Sequence, residues 1–508
     1  MGDNNRKDDD GSVRMMAMSG GEKPSSSSGF QTYAMEPLLV FYMFTSFVKY
    51  PVFQTLLFEK SCVVRYKANI FNPFSRCLVF QEQLFGNIDN FQDELFCQNT
   101  SLVHNDVDLQ TDANHLYLLS TLCILVPSIP SALVLGSLSD IWNAKIPVLV
   151  PLFGLVVGDI NYILQSVFFD VDPHWLLASD FACGICGGYS ALIGTVFSYS
   201  AKKSKNSCRG RKIAFLEGGM GLGATFGFLF SGLIRRYLDF SGTFVFILFL
   251  HIICILYVIV FTKSIRISST LRVGASIADD NRLIRSLKQR VMDVWLVTTK
   301  LRPTRIILLL SLLALVVELF SFSGVNDIQY SFFRFKLKWT DKEYGWYSGL
   351  TYGLGTASVL FLYPWLRRIC GLDDLAICAV ALLMKIASLI SIAFVFSNWF
   401  AFATVPLSVF NRCISAALRT TVSESVEVYE QGRIFSVISI LDSIVSMGGS
   451  LIFNTLYPLT LPSFSYLCYI IVAVVLLVPL FISLYLLYRK RSLPGSNSTM
   501  DSNSDFSI

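Results

Sequence analysis

Charge is what this sequence has least of: Asp, Glu, Lys and Arg make up 15% of its 508 residues, against a hydrophobic share of 53% and a mean hydropathy of +0.56. A soluble multidomain protein carries roughly a quarter charged residues, so that class is excluded and a polytopic membrane protein is expected. Histidine is scarcer still, with four residues, and no His/Cys/Asp/Glu group has metal-ligand spacing. There is no glycine-rich nucleotide loop and no Ser/His/Asp arrangement, so neither metal, cofactor nor enzymatic activity is expected. The net charge of +5 is mild and gives no case for a nucleic-acid partner. Residues 1–34 lack the apolar core of a secretory signal, and Arg6 stands where a myristoylated N-terminus requires Ser or Thr. Rich in Ser, Gly and Asp, they are expected to form a disordered cytoplasmic tail, as is the Ser/Asn-rich segment 489–508.

What the chain does have is apolar runs of membrane length. Windows of about twenty residues place spans at Pro37–Leu57, Tyr117–Leu138, Pro147–Phe169, Trp175–Ser198, Ile213–Gly232 and Thr243–Thr262, then at Ile306–Val325, Tyr344–Tyr363, Leu375–Phe396, Trp399–Arg419, Ile434–Leu456 and Tyr466–Tyr488. The expected fold is therefore all-α, with twelve transmembrane helices in two six-helix bundles, 35–262 and 306–488. Between them lies a linker, 263–305, with ten Lys/Arg against three Asp/Glu. Basic loops stay in the cytosol, which puts the linker and both termini there. The loop 58–114 then falls outside. Its cysteines Cys62, Cys77 and Cys97 predict one disulfide with one thiol left over, the pairing left open, and Asn99-Thr100-Ser101 predicts a glycan on Asn99.

Ionisable residues inside spans are costly and are candidates for function. Glu217 sits in Arg211–Gly232 on the helix face away from Gly219, Gly223 and Gly227, whose fourfold spacing predicts a close helix contact. It is read as a proton-binding carboxylate, with a buried structural hydrogen bond as the alternative. Arg412 and Arg419, seven residues apart, share a face of span ten and can hold an anionic substrate, or else pair with a span acid such as Glu318 or Asp327. Lys49 and Lys385 are expected to snorkel toward the membrane surface, and His251, the one histidine inside a span, to pack as an ordinary interior residue. Asp327 is read as a helix-end or gate residue.

Gly136-Ser137-Leu138-Ser139-Asp140, followed by Lys145, has the form G-x-L-x-D-x-x-x-x-K/R between spans two and three. Together with Arg211–Glu217, Gly324–Asp327, Glu430–Ser436 and Phe453–Pro458, it makes the chain resemble solute carrier family 46, the proton-coupled folate transporter-like family of the major facilitator superfamily. The resemblance implies alternating access, proton coupling through Glu217, engagement of substrate or proton by Arg419, and a conformational gate that includes Gly136, Asp140 and Lys145. It also shows departures, with Gly188 where the folate carrier has an aspartate and Phe322 near where it has a histidine. The expected function is proton-coupled import of an organic anion, folate-like or another carboxylate. The alternatives are lysosomal export of a muropeptide, haem or other metabolite, and a non-transporting receptor on the same fold. The expected partners are a small-molecule substrate, a proton and the lipid bilayer. The expected location is the plasma membrane, with the lysosomal membrane as the alternative.

Overall fold

The computed structural model describes residues 35–70, 106–141, 145–203, 209–262, 292, 300, 304–426, 431–461 and 463–492. In chain order its main helices are α1 (Glu36–Ile70), α2 (Val107–Ile141), α3 (Ile146–Val167), α4 (Leu176–Ile185), α5 (Gly188–Lys203) and α6 (Arg209–Phe261). The second half contributes α7 (Arg305–Leu337), α8 (Asp341–Ala357), α9 (Asp374–Ala393), α10 (Asn411–Glu424), α11 (Gln431–Thr460), α12 (Leu467–Val475) and α13 (Leu477–Ser492). Helical segments stand at each of the twelve expected positions. By length and apolarity alone, nine helices among the described residues can cross a membrane. One of these, Leu216–Phe261, runs for 46 residues and covers two positions.

That long helix is two limbs joined at Asp239, whose φ of 54° and ψ of −168° are non-helical and break the helix there. Span four is also broken. Gly187 and Gly188 follow one another with φ of 101° and 54°, conformations that favour glycine, and they separate α4 from α5 in mid-span. In span eight, α8 passes into a π-helical turn over Ser358–Leu362 before the short helix Tyr363–Arg368. Span ten reaches α10 through the short helix Asn398–Ala403 and a 3-10 turn over Val405–Ser408. Breaks of this kind in a membrane helix recur where a cavity or site has to be lined.

The glycine strip acts as expected. A Cβ on Gly219 would meet the Val40 side chain, and one on Gly227 the carbonyl of Phe44, so the first limb of α6 lies against the backbone of α1. The same limb meets α8 of the second half, and α2 meets α11. These two seams join the halves.

Hydrogen bonds cross between the halves at both ends of these seams. Toward the end where α7 turns into α8 at Lys338, Tyr50 donates to the carbonyl of Asn326 (2.6 Å), Thr55 and Tyr330 share a hydrogen bond (2.6 Å), Ser331 donates to Asn114 (2.6 Å) and Arg334 to Gln110 (3.0 Å). Arg235 of α6 closes the same end by pairing with Asp341 of α8 at 2.6 Å and with Glu59 of α1 at 2.8 Å. Toward the end that carries Lys145, Glu217 bonds Arg419 and Ser190 bonds Ser443 across the halves. Each neutral bond contributes about 0.5–1.5 kcal/mol, so the bonds at the Lys338 end together hold that end closed.

Candidate functional site

The Lys145-side half of the interface gathers charge from both halves. Glu217, on the first limb of α6, accepts a hydrogen bond from Nη1 of Arg419 on α10 at 3.2 Å. Their side chains are 35% and 29% exposed, so this ion pair borders open space rather than core. Arg419 has an acid partner, as one reading of the sequence required, but the acid is Glu217 and neither Glu318 nor Asp327. Among the described residues its buried Nε has no hydrogen-bond partner. Asp442 of α11 lies within electrostatic reach of Arg419.

Arg412, one face-sharing step earlier on α10, points between α6 and α8. Its Nη1 donates to Thr356 Oγ1 at 3.1 Å, and its guanidinium carbon lies 5.8 Å from the ring centre of Tyr352. Two glycines make room for it. A Cβ on Gly355 would stand 3.0 Å from Arg412 Cγ, and one on Gly221 would stand 2.8 Å from Nη1. Tyr189, the second residue of α5, is exposed and within electrostatic reach of Arg412, Arg419 and Asp442, and its ring stacks on Tyr42 at 6.3 Å. The arrangement is two guanidiniums and two carboxylates ringed by tyrosines, contributed by both halves. It can bind an anion through arginine forks and shelter its apolar part on aromatic faces.

Asp327 has a different setting. Buried on α7, it accepts hydrogen bonds from Asn454 of α11 (3.1 Å), from Ser450 of α11 and from Tyr117 of α2 (3.4 Å), and so sits in the seam toward the Lys338 end. Lys145 donates to the carbonyl of Ile259, near the end of α6, at 2.6 Å. Gly136 and Asp140 fall on α2, but their surroundings lie outside the described residues, as do Asn99, Cys77 and Cys97. Cys62 is disulfide-bonded.

Three expectations are corrected. Lys385 does not snorkel: it is 7% exposed and paired at 2.9 Å with Glu318, itself 3% exposed, because the acid on α7 faces α9 inside the second half. His251 is not an ordinary packed residue. Its Nδ1 lies 2.5 Å from Asp159 Oδ2, and its Nε2 lies 2.8 Å from Thr45 Oγ1. Lys49 turns inward, its ammonium 4.0 Å from the ring centre of Tyr162. Asp159, Asp180 and Asp442 are also acids within spans, and Tyr189 and Tyr352 gave no signal among 21 tyrosines.

A cleft of about 450 Å³ lies at the opposite end, lined by Arg235, Arg236, Asp239, Asp341 and Lys342 among others. Arg235 and Asp341 there are paired with each other, so the charge chemistry, not the volume, locates the candidate site.

Residues 94–450 match the family described as Major Facilitator Superfamily. The chain is 23% identical over 459 residues to the Gallus gallus lysosomal proton-coupled steroid conjugate and bile acid symporter of solute carrier family 46, covering 89% of this chain and 93% of that protein. It is 23% identical to the Drosophila melanogaster probable peptidoglycan muropeptide transporter of the same solute carrier family, over 57% of this chain and 56% of that protein. Among solved structures, the human organic anion transporter MFSD10 superposes with a TM-score of 0.58 at 13% identity, over 89% of this chain and 99% of that one, a likeness of fold.

Proposed function

The chain belongs to the Major Facilitator Superfamily, and from that premise we propose that it carries an organic anion across a membrane together with a proton, using the Glu217–Arg419 pair as the point where binding of one ligand favours binding of the other. It is a membrane transporter and not an enzyme. The observation that carries the proposal is that pair: one partner from each half, 3.2 Å apart, each about a third exposed.

The mechanism follows from charge. With Glu217 ionised, Arg419 is held by a carboxylate from the opposite half. A proton on Glu217 removes that carboxylate, and the guanidinium forks onto the carboxylate or sulfate of a substrate instead. Arg412 supplies a second positive charge one helical face away, and Tyr352 and Tyr189 offer aromatic surface. When substrate and proton leave, the pair re-forms across the halves, which is the differential interaction that an alternating-access carrier needs in order to change state. With the basic loops in the cytosol, the Lys338 end faces outside or the lysosomal lumen, and its hydrogen bonds close that side. Asp327, held by α2 and α11, acts in that closure, and Asp140 with Lys145 on the cytoplasmic side.

The names of the family 46 relatives support an amphipathic anion such as a steroid conjugate or bile acid ahead of folate, and a lysosomal membrane ahead of the plasma membrane. Movement into the cytosol down a proton gradient has the same sense in both. The test is uptake into proteoliposomes under an imposed pH gradient, with a radiolabelled bile acid, steroid sulfate, muropeptide and folate each offered to wild type and Glu217→Gln. Gradient-driven accumulation is expected in wild type, with counterflow exchange surviving and accumulation lost in the variant. Accumulation unchanged in Glu217→Gln would overturn coupling at this pair, and no uptake of any probe would favour a receptor role.

A further inference from the structure

The first half contains a second cluster that the substrate site does not use. His251 on the second limb of α6 and Asp159 on α3 are each about 1% exposed and face each other at 2.5 Å. On its other side the imidazole meets Thr45 of α1 at 2.8 Å, and that hydroxyl also lies 2.8 Å from the carbonyl of Tyr42. Among the described residues Asp159 Oδ1 has no partner, so the imidazole is the carboxylate's hydrogen-bonding support there.

Two complete hydrogen-bond schemes fit these distances, and they differ by one proton. In the first, Nδ1–H donates to an Asp159 carboxylate, and the Thr45 hydroxyl donates to a bare Nε2. In the second, a proton has bound at Nε2: Nε2–H donates to Thr45 Oγ1, and the Thr45 hydroxyl has rotated to donate to the Tyr42 carbonyl. No covalent bond breaks, no heavy atom has to move, and the pair's charge changes from −1 to 0. We propose that Thr45, His251 and Asp159 form a reversible proton-binding site inside the first half, separate from Glu217.

The surroundings support a site whose charge matters. Tyr162 and Cys183 lie within electrostatic reach of Asp159, and Cys183 is also reached by Lys49 and Asp180. Of these neighbours, Lys49 and Asp180 are the charged ones, and they lie within electrostatic reach of each other. Asp180 is further held by hydrogen bonds from Ser120 (2.6 Å) and Tyr162. With Lys49 and Asp180 offsetting each other, the proton-loaded pair leaves the interior electrically balanced, and the unloaded pair leaves one buried negative charge. The site also borders the anion site. The carbonyl that receives the Thr45 hydroxyl belongs to Tyr42, whose ring stacks on Tyr189 beside Arg412 and Arg419. A proton here therefore alters the backing of the aromatic wall of that site.

The test needs no substrate, so its failure is separate from failure of the transport reading. The chain has four histidines, which makes its imidazole spectrum countable. Full-length protein labelled with 15N-histidine in proteoliposomes is followed by solid-state NMR from pH 5 to 9, with His251→Gln identifying the His251 signals. The expected result is a change of His251 between a doubly protonated ring and a single Nδ1–H tautomer within that range. Asp159→Asn, whose amide can still hydrogen-bond the ring and preserve the fold, is expected to leave a neutral ring throughout. A wild-type ring fixed in one tautomer and charge across the range overturns the proposal, as does a titration left unchanged by Asp159→Asn.

Discussion

Glu217 and Glu318 read alike in the sequence, each a carboxylate within an apolar span, and the structure gives each a cation at about 3 Å. What the pairs join is different. Glu318 reaches Lys385 within the second half, with both side chains 7% exposed or less, whereas Glu217 reaches Arg419 across the two halves with both about a third exposed. A pair sealed within one bundle cannot open without stranding charge in a low-dielectric interior, so it holds structure. A pair at the rim of two bundles can exchange its partner for water, a proton or a ligand at small cost, which a carrier requires.

The sharpest way to break that contrast is Lys385→Ala. It leaves Glu318 buried and alone, a loss of about 3–5 kcal/mol, and is expected to lower the melting temperature steeply in detergent. Glu318→Leu with Lys385→Met should recover most of the loss. A single variant that melts with wild type would remove the structural role assigned to this pair. Next comes Gly221→Ala, whose Cβ would stand 2.5 Å from Thr356 Oγ1 and 2.8 Å from Arg412 Nη1. Overpacking of about 1–3 kcal/mol is expected, with anion affinity weakened about tenfold, equivalent to ~1.4 kcal/mol, as Arg412 is displaced. Equilibrium binding of the transported anion measures it, and unaltered affinity would detach Arg412 from the site.

Glu217→Gln is expected to change folding stability by less than about 1 kcal/mol even though it abolishes coupled accumulation, and the split between melting temperature and transport is the measurement. At the small end stands Asp172, fully in the loop before α4. It accepts from the backbone N–H of His174 at 2.9 Å and lies 2.6 Å from that residue's ring, which together hold its carboxyl below the usual carboxylate range. A depressed value stabilises the fold above the ordinary carboxylate range, and the contribution is lost as pH falls through the lowered value, below about pH 4. Since both groups are largely exposed, Asp172→Ala should cost only a few tenths of a kcal/mol at pH 7. A drop as large as that of Lys385→Ala would show that exposure does not rank these pairs.

Much of the fold was legible because a bilayer imposes a simple rule: about twenty apolar residues per crossing, with small residues where helices meet. The strip of Gly219, Gly223 and Gly227 against α1 and the orientation of Glu217 away from it both follow from 3.6 residues per turn. The site was only half legible. Arg412 and Arg419 announced themselves as charges on one face of a span, but Tyr189 and Tyr352 looked like any other membrane tyrosines. Lys49, Lys385 and His251 were misread because an isolated ionisable residue in a span carries no mark of whether a counter-charge lies on a helix far away in sequence.

By itself, then, the sequence determined what local chemistry determines: where the chain is apolar enough to cross, which loops are basic, and which glycines permit close approach. Only the tertiary structure decided which charges meet. Asp159 and His251 lie 92 residues apart, and Glu217 and Arg419 lie 202 apart. Hydropathy and periodicity describe a helix one turn at a time, while a proton or an anion is held by groups from several helices, and their meeting depends on how those helices pack.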